Sequence, residues 1–255
     1  LGEGHWQATL HLPSATSPLH YIYSYRLTDE TGAVLREEWR ISHELHLPAG
    51  DTAVFTQDRW VDCPEDAPAF SAAFCDILGQ QATAPEEAPQ PGLTFSVHTP
   101  ALRRGERLLV TGSCEALGSW DPQKALSLTY RGQGRWSATL PASAIGSAPT
   151  SLRYKYLLST DAGYTYLWEE GEDRWANLPD STIYPYCYVQ DSYLHLPSRP
   201  VRTAGLVAPL FSLRNDTDWG IGDFGALREA IDFAAEAGMH AVQLLPINDT
   251  TSTRG

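Results

Sequence analysis

The residues of this chain that could do binding chemistry are aromatic side chains placed in turns and beside polar groups. Trp120 lies in "LGSWDP", and Trp168 lies in "YLWEEGEDR", where Glu169 and Asp173 follow it. Lys155 stands between two tyrosines in "LRYKYLL". Flat indole faces cover the apolar C–H faces of a sugar ring, while Lys, Glu and Asp hydrogen-bond its hydroxyl groups. These residue types therefore favour the binding of a neutral carbohydrate.

Each of these residues also has a structural interpretation. Large rings fill β-rich cores well, and the chain holds eight Trp and twelve Tyr, so core packing is the alternative for any single ring. Trp120 lies among Gly, Asp and Pro residues, where a ring is less often part of a core. Lys155 could be a plain solvent-facing lysine, and the alternating run around Trp136 favours a structural role for that ring.

The charge and the cysteine content of the chain limit the classes of partner and the cellular location that we expect for it. Its 255 residues carry a net charge of −13 with 18 basic residues and no basic cluster, which argues against nucleic acid and anionic membranes as partners. No apolar run approaches the roughly 20 residues of a membrane helix. The four cysteines have neither metal-ligand nor disulfide spacing, so we expect reduced thiols, a cytoplasmic protein, and no metal or cofactor.

An internal repeat supplies the elements that position these residues. "GHWQATLHLP" begins at Gly4 and "GRWSATLPAS" begins at Gly134, 130 residues later. A tyrosine-rich stretch follows in each copy, first "LHYIYSYRLTDETG" and then "LRYKYLLSTDAG". In both copies apolar and polar residues alternate with period two over short runs. This pattern is typical of antiparallel strands with one buried face, so each copy is predicted to be a β-sandwich.

The two copies are not equally complete. Residues 92–190 contain a full set of predicted strands, whereas residues 1–60 lack the opening strands, so we expect a truncated first sandwich. Residues 61–91 form a connector that includes the Pro/Ala/Glu-rich linker "QQATAPEEAPQPG". The apolar segment "AFSAAFCDIL" precedes that linker, and we expect it to pack on a neighbouring domain.

The hydrophobic period changes in residues 191–255. The continuous apolar run "AGLVAPLF" predicts a strand buried on both faces, and "HAVQLLPI" predicts a second. Between them lies an amphipathic helix, with Asp223 as its N-cap and Gly238 at its end. Strand, helix and strand within about 45 residues predict a βαβ unit with a parallel pair. One such unit cannot stand alone, so we expect it to begin a larger α/β domain.

The motifs of the second copy, in their order and spacing, resemble the family of starch-binding carbohydrate modules. The resemblance implies that Trp120 and Trp168 form the stacking platform of the main site, with Lys155 and Glu169 beside them. Asp173 stands where the family usually has Asn, so a carboxylate replaces a hydrogen-bond donor. The resemblance also implies a possible second glucan site, which would be formed by Tyr130 and Trp136.

The first copy matches this family less well. Ser24 replaces the lysine of the tyrosine strand. Trp39 lies near the place of Trp168, yet "EEWR" matches "WEEG" only after a shift. The main site is therefore partly absent, and a spacer role is as open as sugar binding.

The last 50 residues resemble the opening of the 4-α-glucanotransferases, also called amylomaltases or disproportionating enzymes, and in particular their cytosolic plant-type branch. "SLRNDTDWGIGDFG" and "QLLPIND" carry the resemblance. It implies the first βαβ unit of a (β/α)₈ barrel, in which loops after the strands line the active face. Trp219, Asn248 and Asp249 would then lie near a glucan path. The family's catalytic carboxylates lie on later strands, so no catalytic residue is expected in this chain.

The function implied is binding of starch, glycogen or maltooligosaccharides by the chain, and transfer of an α-1,4-glucan segment to an acceptor sugar by the full-length protein. That reaction is a retaining one, with a carboxylate nucleophile and a carboxylic acid that also acts as base. The isolated chain is expected to bind glucan without transferase activity. A non-catalytic glycogen- or starch-binding scaffold is the alternative, and a starch-degrading hydrolase is less favoured.

Overall fold

Short strands with alternating burial make up most of the structure. A computed structural model describes residues 4–14, 16–40, 43–78, 84–85, 88–145, 150–160, 165–197 and 204–247. The chain divides into two compact units, Leu1–Pro197 and Ser198–Gly255. The described part of the first unit has fourteen strands. They are β1 Leu19–Tyr23, β2 Arg26–Thr28, β3 Val34–Glu37, β4 His43–Leu47, β5 Val54–Asp58, β6 Gly92–His98, β7 Arg107–Gly112, β8 Leu126–Ser127, β9 Thr129–Gly132, β10 Arg135–Pro141, β11 Ser151–Ser159, β12 Tyr166–Trp168, β13 Arg174–Asn177 and β14 Tyr186–Tyr193.

Two larger sheets account for most of these strands. One has five strands in the order β5-β14-β6-β10-β9, in which β14 runs parallel to both of its neighbours. The other has the order β12-β11-β7-β8, and β13 also pairs with β11. Every pairing within this second sheet is antiparallel. The strand β11, at its centre, is therefore held on both sides.

One core cluster lies between the two sheets. Leu93, Phe95 and Val97 alternate along β6 and are almost completely buried. Tyr154 and Tyr156 of β11 join the same cluster, and the rings of Phe95 and Tyr154 lie 5.0 Å apart between centroids. The period-two alternation predicted for these strands is confirmed. Because each sheet turns its apolar face towards this cluster, the two sheets share one core.

The first copy of the repeat is arranged differently from the second. Its strands form two small antiparallel pairs, β1 with β4 and β2 with β3, and its last strand β5 joins the five-stranded sheet. The predicted boundary at residue 60 therefore separates β5 from β14, which are neighbours in one sheet. The stretch "HWQATLHL", which the repeat predicts as a strand, forms none, and Trp6 is 82% exposed. A strand needs a hydrogen-bonded neighbour, and no described strand pairs with this stretch, although the His5 ring contacts Trp175 of β13.

The second unit contains a strand, a helix and a strand. The strands β15 (Gly205–Ala208) and β16 (Ala241–Leu244) pair in parallel, and the helix α2 (Phe224–Glu236) lies between them in sequence. The Asp223 carboxylate accepts a hydrogen bond of 2.9 Å from the Ala226 amide, which confirms the predicted N-cap. Gly238 has φ +74°, a left-handed conformation suited to the end of a helix.

The remaining helical segments are short. They are α1 Ala142–Ile145, the 3₁₀ segments Ala67–Phe70, Glu115–Trp120, Pro122–Lys124 and Leu210–Ser212, and a π-helical turn at Ala73–Leu78. The longest helix in the described part of the chain is α2, with 13 residues. None of the described helices has the length and apolar character that crossing a membrane requires.

Candidate functional site

The outer face of the sheet formed by β12, β11, β7 and β8 carries two of the predicted sugar-binding residues, Lys155 and Trp168. The register pairs Lys155 with Thr111 of β7, and it pairs Leu157 with Trp168 of β12. Residues two apart on a strand point to the same face, so Lys155 and Trp168 share one face of the sheet. The tyrosines on either side of Lys155 point the other way and belong to the core cluster. Lys155 and Trp168 therefore lie on the side away from the core, and both are half-buried.

The loop that carries Trp120 follows β7 and is anchored to this sheet. The Thr111 hydroxyl donates a hydrogen bond of 2.7 Å to the Leu117 carbonyl oxygen. Gly118, Ser119 and Trp120 then adopt successive left-handed conformations with φ of 80°, 49° and 69°. The indole of Trp120 is left half-buried at the end of these turns.

Glycine is required at the first of these left-handed positions. A Cβ atom on Gly118 would lie 2.9 Å from the Lys124 Cβ and 3.0 Å from the Lys124 carbonyl carbon, closer than real Cβ contacts. Left-handed backbone is also unfavourable for residues with a side chain. The glycine of "LGSW" is therefore a geometric requirement of the turn that presents Trp120.

The polar groups beside the platform are only partly free. The Lys155 ammonium donates a hydrogen bond of 2.7 Å to the Gly171 carbonyl oxygen, and two of its three donors are left for other partners. Asp173 immediately precedes β13. Because β13 runs antiparallel to β11 and Arg174 pairs with Tyr154, Asp173 lies opposite Lys155. The Asp173 carboxylate lies 3.8 Å from the Arg153 guanidinium. The side chains of Lys155 and Asp173 both remain partly exposed at the surface of the sheet.

Glu169 differs from the expectation that it lies at the rim of the site. It is only 4% exposed, and its carboxylate accepts hydrogen bonds of 2.8 to 3.1 Å from the Nε and Nη2 of Arg174. It also accepts one of 2.9 Å from the Tyr156 amide. A forked guanidinium and a strand amide together occupy the carboxylate. Glu169 therefore fixes the turn after Trp168 and leaves no open face for a sugar hydroxyl.

Asp191 is the centre of a buried network that the sequence analysis missed. Both Tyr154 and Tyr156 donate hydroxyl hydrogen bonds of 2.8 Å to its Oδ2, and the Nη1 of Arg174 lies 3.0 Å from its Oδ1. Burial, together with the charge of Asp191, raises the pKa of each tyrosine well above its ordinary value. Arg174 therefore joins Asp191 to Glu169, and this network supports the strand that carries Lys155.

The same network recurs in the first copy. Tyr23 and Tyr25 each donate a hydroxyl hydrogen bond of 2.7 Å to the Oδ2 of Asp58. The Glu38 carboxylate accepts a hydrogen bond of 2.7 Å from the Tyr25 amide. His43 stands where the second copy has an arginine, with its Nε2 2.9 Å from the Oε1 of Glu38. The spacing of Tyr-x-Tyr, Glu and Asp could have indicated this network from the repeat.

The network fixes how the two copies correspond. The matching pairs are Tyr23 and Tyr154, Tyr25 and Tyr156, Glu38 and Glu169, and His43 and Arg174, all 131 residues apart, and Asp58 and Asp191, 133 apart. By this correspondence Ser24 stands at the position of Lys155, as predicted. Glu37 stands at the position of Trp168, and Trp39 is two residues beyond it. The interior is therefore shared by the two copies, while the outer face is not.

Tyr130 and Trp136, the possible second site, form a buried pair. They are 6% and 7% exposed, with ring centroids 5.2 Å apart. The Tyr130 hydroxyl donates to Asp76, and the Gln133 amide donates to the same carboxylate at 3.0 Å. Asp76 belongs to the π-helical turn of the connector, so the connector packs on this pair. The structure does not present the two rings as an open platform.

The C-terminal candidates lie in the second unit. Trp219 is 94% exposed, in a turn where the Asp218 carboxylate accepts hydrogen bonds from the Arg214 guanidinium and the Gly220 amide. The hydrogen bond from Arg214 is the main cause that lowers the pKa of Asp218 to about 2. Asn248 and Asp249 lie outside the described residues. The turn thus presents Trp219 to solvent.

Comparison with known proteins confirms both resemblances. Residues 92–185 match the family described as starch binding domain, and residues 208–254 match the family described as 4-alpha-glucanotransferase. The chain is 34% identical over 243 residues to the 4-alpha-glucanotransferase DPE2 of Oryza sativa subsp. japonica. That alignment covers 90% of this chain and 25% of the rice protein. The chain thus spans about a quarter of that relative.

Solved structures show more distant similarity. A gamma-CGTase from alkalophilic Bacillus clarkii is 19% identical over 42% of this chain and 15% of its own, with a TM-score of 0.33. The family 20 carbohydrate-binding module of a maltotetraose-forming amylase from Pseudomonas saccharophila STB07 is 18% identical over 38% of this chain and 97% of its own, with a TM-score of 0.29. The chain therefore joins a region similar to starch-binding domains to a region similar to 4-alpha-glucanotransferases, and it resembles the rice enzyme along nine-tenths of its length.

Proposed function

We propose that this chain binds α-1,4-glucans such as starch, glycogen and maltooligosaccharides through the outer face of the sheet that contains β11 and β12, and that it is part of a longer 4-α-glucanotransferase. The observation that carries the proposal is the placement of Lys155 and Trp168 on that face, beside the loop of Trp120. These residues lie within the region that matches starch-binding domains.

Binding on this face relies on ring stacking more than on charge. The half-buried indoles of Trp120 and Trp168 are proposed to cover the apolar faces of successive glucose units, and Lys155 to donate to their hydroxyl groups. Burying a large apolar surface contributes roughly 1.5–3 kcal/mol for each ring. Asp173 accepts hydrogen bonds at the edge, whereas Glu169 acts only through the turn that it holds. A neutral ligand also suits a chain with a net charge of −13.

Substitution of the two rings tests this proposal. Trp120→Ala and Trp168→Ala should each weaken retention on immobilised amylose or glycogen by roughly 10- to 100-fold, the equivalent of one lost stacking contact. Trp6→Ala is a matched control, because Trp6 is 82% exposed and lies outside the proposed platform. Retention that is unchanged in both platform variants would contradict the assignment.

For the longer protein we propose transfer of an α-1,4-glucan segment to an acceptor sugar by a retaining mechanism. The match of residues 208–254 and the rice relative support this activity. A retaining mechanism uses a nucleophilic carboxylate and a second carboxylic acid about 5 Å away. No described residue of this chain is assigned to either role. The isolated chain, incubated with maltotriose, should therefore form no longer oligosaccharides and release no glucose; either product would contradict the assignment.

We also propose the finer architecture and the location. The strand–helix–strand of residues 205–244 is the first βαβ unit of a (β/α)₈ barrel, with Trp219, Asn248 and Asp249 on its active face. Residues 1–60, 61–91 and 92–190 are a partial first module, a connector and a second module. The duplicated tyrosine–aspartate network supports tandem modules. The four free thiols are compatible with a cytoplasmic protein.

A further inference from the structure

The strand β13 carries a third tryptophan on the same outer face as the proposed glucan site. Trp175 is directly opposite Arg153 of β11 in the antiparallel register. Cross-strand partners point to the same side of a sheet, and residues two apart on one strand share a face, so Trp175 lies on the face of Arg153 and Lys155. Trp175 is 38% exposed, whereas Trp120 and Trp168 are half-buried. Of these three rings, Trp175 is the most open to a ligand.

Tryptophan and polar side chains alternate along one edge of β11. Three successive cross-strand pairs follow one another there, of which the two outer pairs each hold a tryptophan and the middle pair is polar. They are Leu157 with Trp168, Lys155 with Asp173, and Arg153 with Trp175. The partners of Trp168 and Trp175 are four residues apart on β11, a distance of about 13 Å at a strand rise of about 3.3 Å per residue. Hydrogen-bonding groups therefore lie between the two rings.

Residues of the first copy hold Trp175 in place. The Nη2 of Arg59 donates a hydrogen bond of 2.8 Å to the Trp175 carbonyl oxygen, and the guanidinium lies over the indole, 5.0 Å from its centroid. The Gln57 side chain donates to the same carbonyl oxygen at 3.1 Å and accepts from the Asn177 amide at 2.8 Å. The His5 ring meets the indole in an edge contact, with centroids 6.0 Å apart. A ring fixed in this way loses little conformational entropy when it binds a ligand.

We propose that Trp175 forms a distal subsite of the glucan site, so that this face takes a longer α-1,4-glucan chain than Trp120 and Trp168 cover by themselves. The inference rests on the proposed glucan binding and adds a preference for chain length to it. A glucose unit stacks on the open part of the Trp175 indole. The Arg153 side chain is 72% exposed and donates to hydroxyl groups of the units between the rings. The first copy contributes to this subsite through Arg59, which positions the ring.

Calorimetric titration of the 255-residue chain with a short and a long oligosaccharide, maltotriose and maltoheptaose, tests the proposal. Trp175→Ala should weaken maltoheptaose binding by roughly five- to tenfold, the effect of one lost stacking contact, and leave maltotriose binding unchanged. Trp175→Phe keeps an aromatic ring and should retain most of the affinity for maltoheptaose. Trp60→Ala is a matched control, because the Trp60 indole also lies beneath a guanidinium, that of Arg36 at 5.3 Å, but follows β5 in the other sheet. Its binding of both sugars should equal that of the wild type.

The double variant Trp120→Ala/Trp168→Ala separates this inference from the proposed function. If it loses both sugars while Trp175→Ala, shown by circular dichroism to be folded, binds maltoheptaose as the wild type does, the distal subsite is overturned and the proposed function stands. An equal loss of both sugars in Trp175→Ala would also overturn the subsite, because the ring would then act through the main site or the fold. Absence of maltoheptaose binding by the wild-type chain would contradict both the subsite and the proposed function.

Discussion

The two copies of the repeat share an interior and differ at the surface. In each copy two tyrosines donate to one aspartate, and a glutamate accepts from the amide of the second tyrosine. On the outer face the second copy has Lys155 and Trp168, where the first has Ser24 and Glu37. The hydrogen-bond network and the proposed binding surface are therefore separate features of this fold. One copy of the repeat can keep the hydrogen-bond network without keeping the residues of the outer face.

The networks also differ in the side chain that pairs with the glutamate. In the second copy Arg174 pairs with both Glu169 and Asp191, and these charges outweigh its burial and raise its pKa. In the first copy His43 contacts Glu38, and both side chains are buried. The side-chain amide of Gln190, the residue before Asp191, contacts the first network, donating to the Tyr23 hydroxyl at 2.9 Å and to Asp58 at 3.1 Å. The comparison predicts that the second network contributes more to stability.

The largest expected effect is that of removing the central aspartate. Asp191→Ala leaves the buried Arg174 with one partner fewer and should destabilise the chain by about 3–5 kcal/mol. Asp58→Ala removes acceptors from neutral groups and should cost about 1–2 kcal/mol. Urea denaturation, followed by tryptophan fluorescence, measures both. An equal loss in the two variants would show that the arginine adds nothing to the second network.

A smaller effect separates the outer faces. Lys155→Ala should weaken glucan binding roughly three- to tenfold, because one hydrogen-bond donor to the ligand is lost. Its matched variant in the first copy, Ser24→Ala, should leave the affinity unchanged. Both affinities can be measured by titration with maltoheptaose. Comparable weakening in Ser24→Ala would mean that the first copy also takes part in binding.

The smallest expected effect is a pH dependence confined to the first copy. Burial opposes the ionisation of Glu38, but hydrogen bonds from His43 and from the Tyr25 amide, among other contacts, outweigh it and lower the pKa below 4.5. The folded chain then binds this proton less tightly than the unfolded chain. The resulting stability is present above pH 4.5 and is lost as the pH falls through the lowered folded pKa.

Hydrogen exchange measures this effect strand by strand. Between pH 6 and pH 3.5 the amides of β1 and β4 should lose protection before those of β11. Glu38→Gln should reduce the difference in pH dependence between these strands; part of it remains because contacts with His46 and Arg135 outweigh burial and also lower the pKa of Glu44 on β4. The prediction fails if β11 loses protection first, or if Glu38→Gln behaves as the wild type.

Local patterns in the sequence predicted local structure well. The alternation along β6 and β11 and the Asp223 cap depend on neighbouring residues, so they could be read from the chain directly. Asp191 lies 35 and 37 residues from the tyrosines that it accepts from, and only the register of the sheets brings them together. The packing of Asp76 on Tyr130 spans 54 residues for the same reason. Such long-range contacts leave no periodic signal in the sequence.

The candidate site likewise combines features that local motifs predict with features that depend on contacts in the folded structure. The motifs identified Trp120, Trp168 and Lys155, and the structure accounts for their placement by a left-handed turn and by strand register. The resemblance to starch-binding modules implies a binding role for Glu169, which follows a tryptophan. The structure instead pairs Glu169 with Arg174, which is only five residues away. That short spacing is a signal in the sequence from which the forked contact could be predicted. Residue type alone does not separate a carboxylate that meets a ligand from one that meets an arginine.

Titration of the chain with maltoheptaose, followed by calorimetry, tests the central claim most directly. The account predicts one binding site per chain, lost in the double variant Trp120→Ala/Trp168→Ala and retained in Trp6→Ala, whose ring is 82% exposed in the first copy. Unchanged binding in the double variant, or two equivalent sites in the wild type, would contradict it.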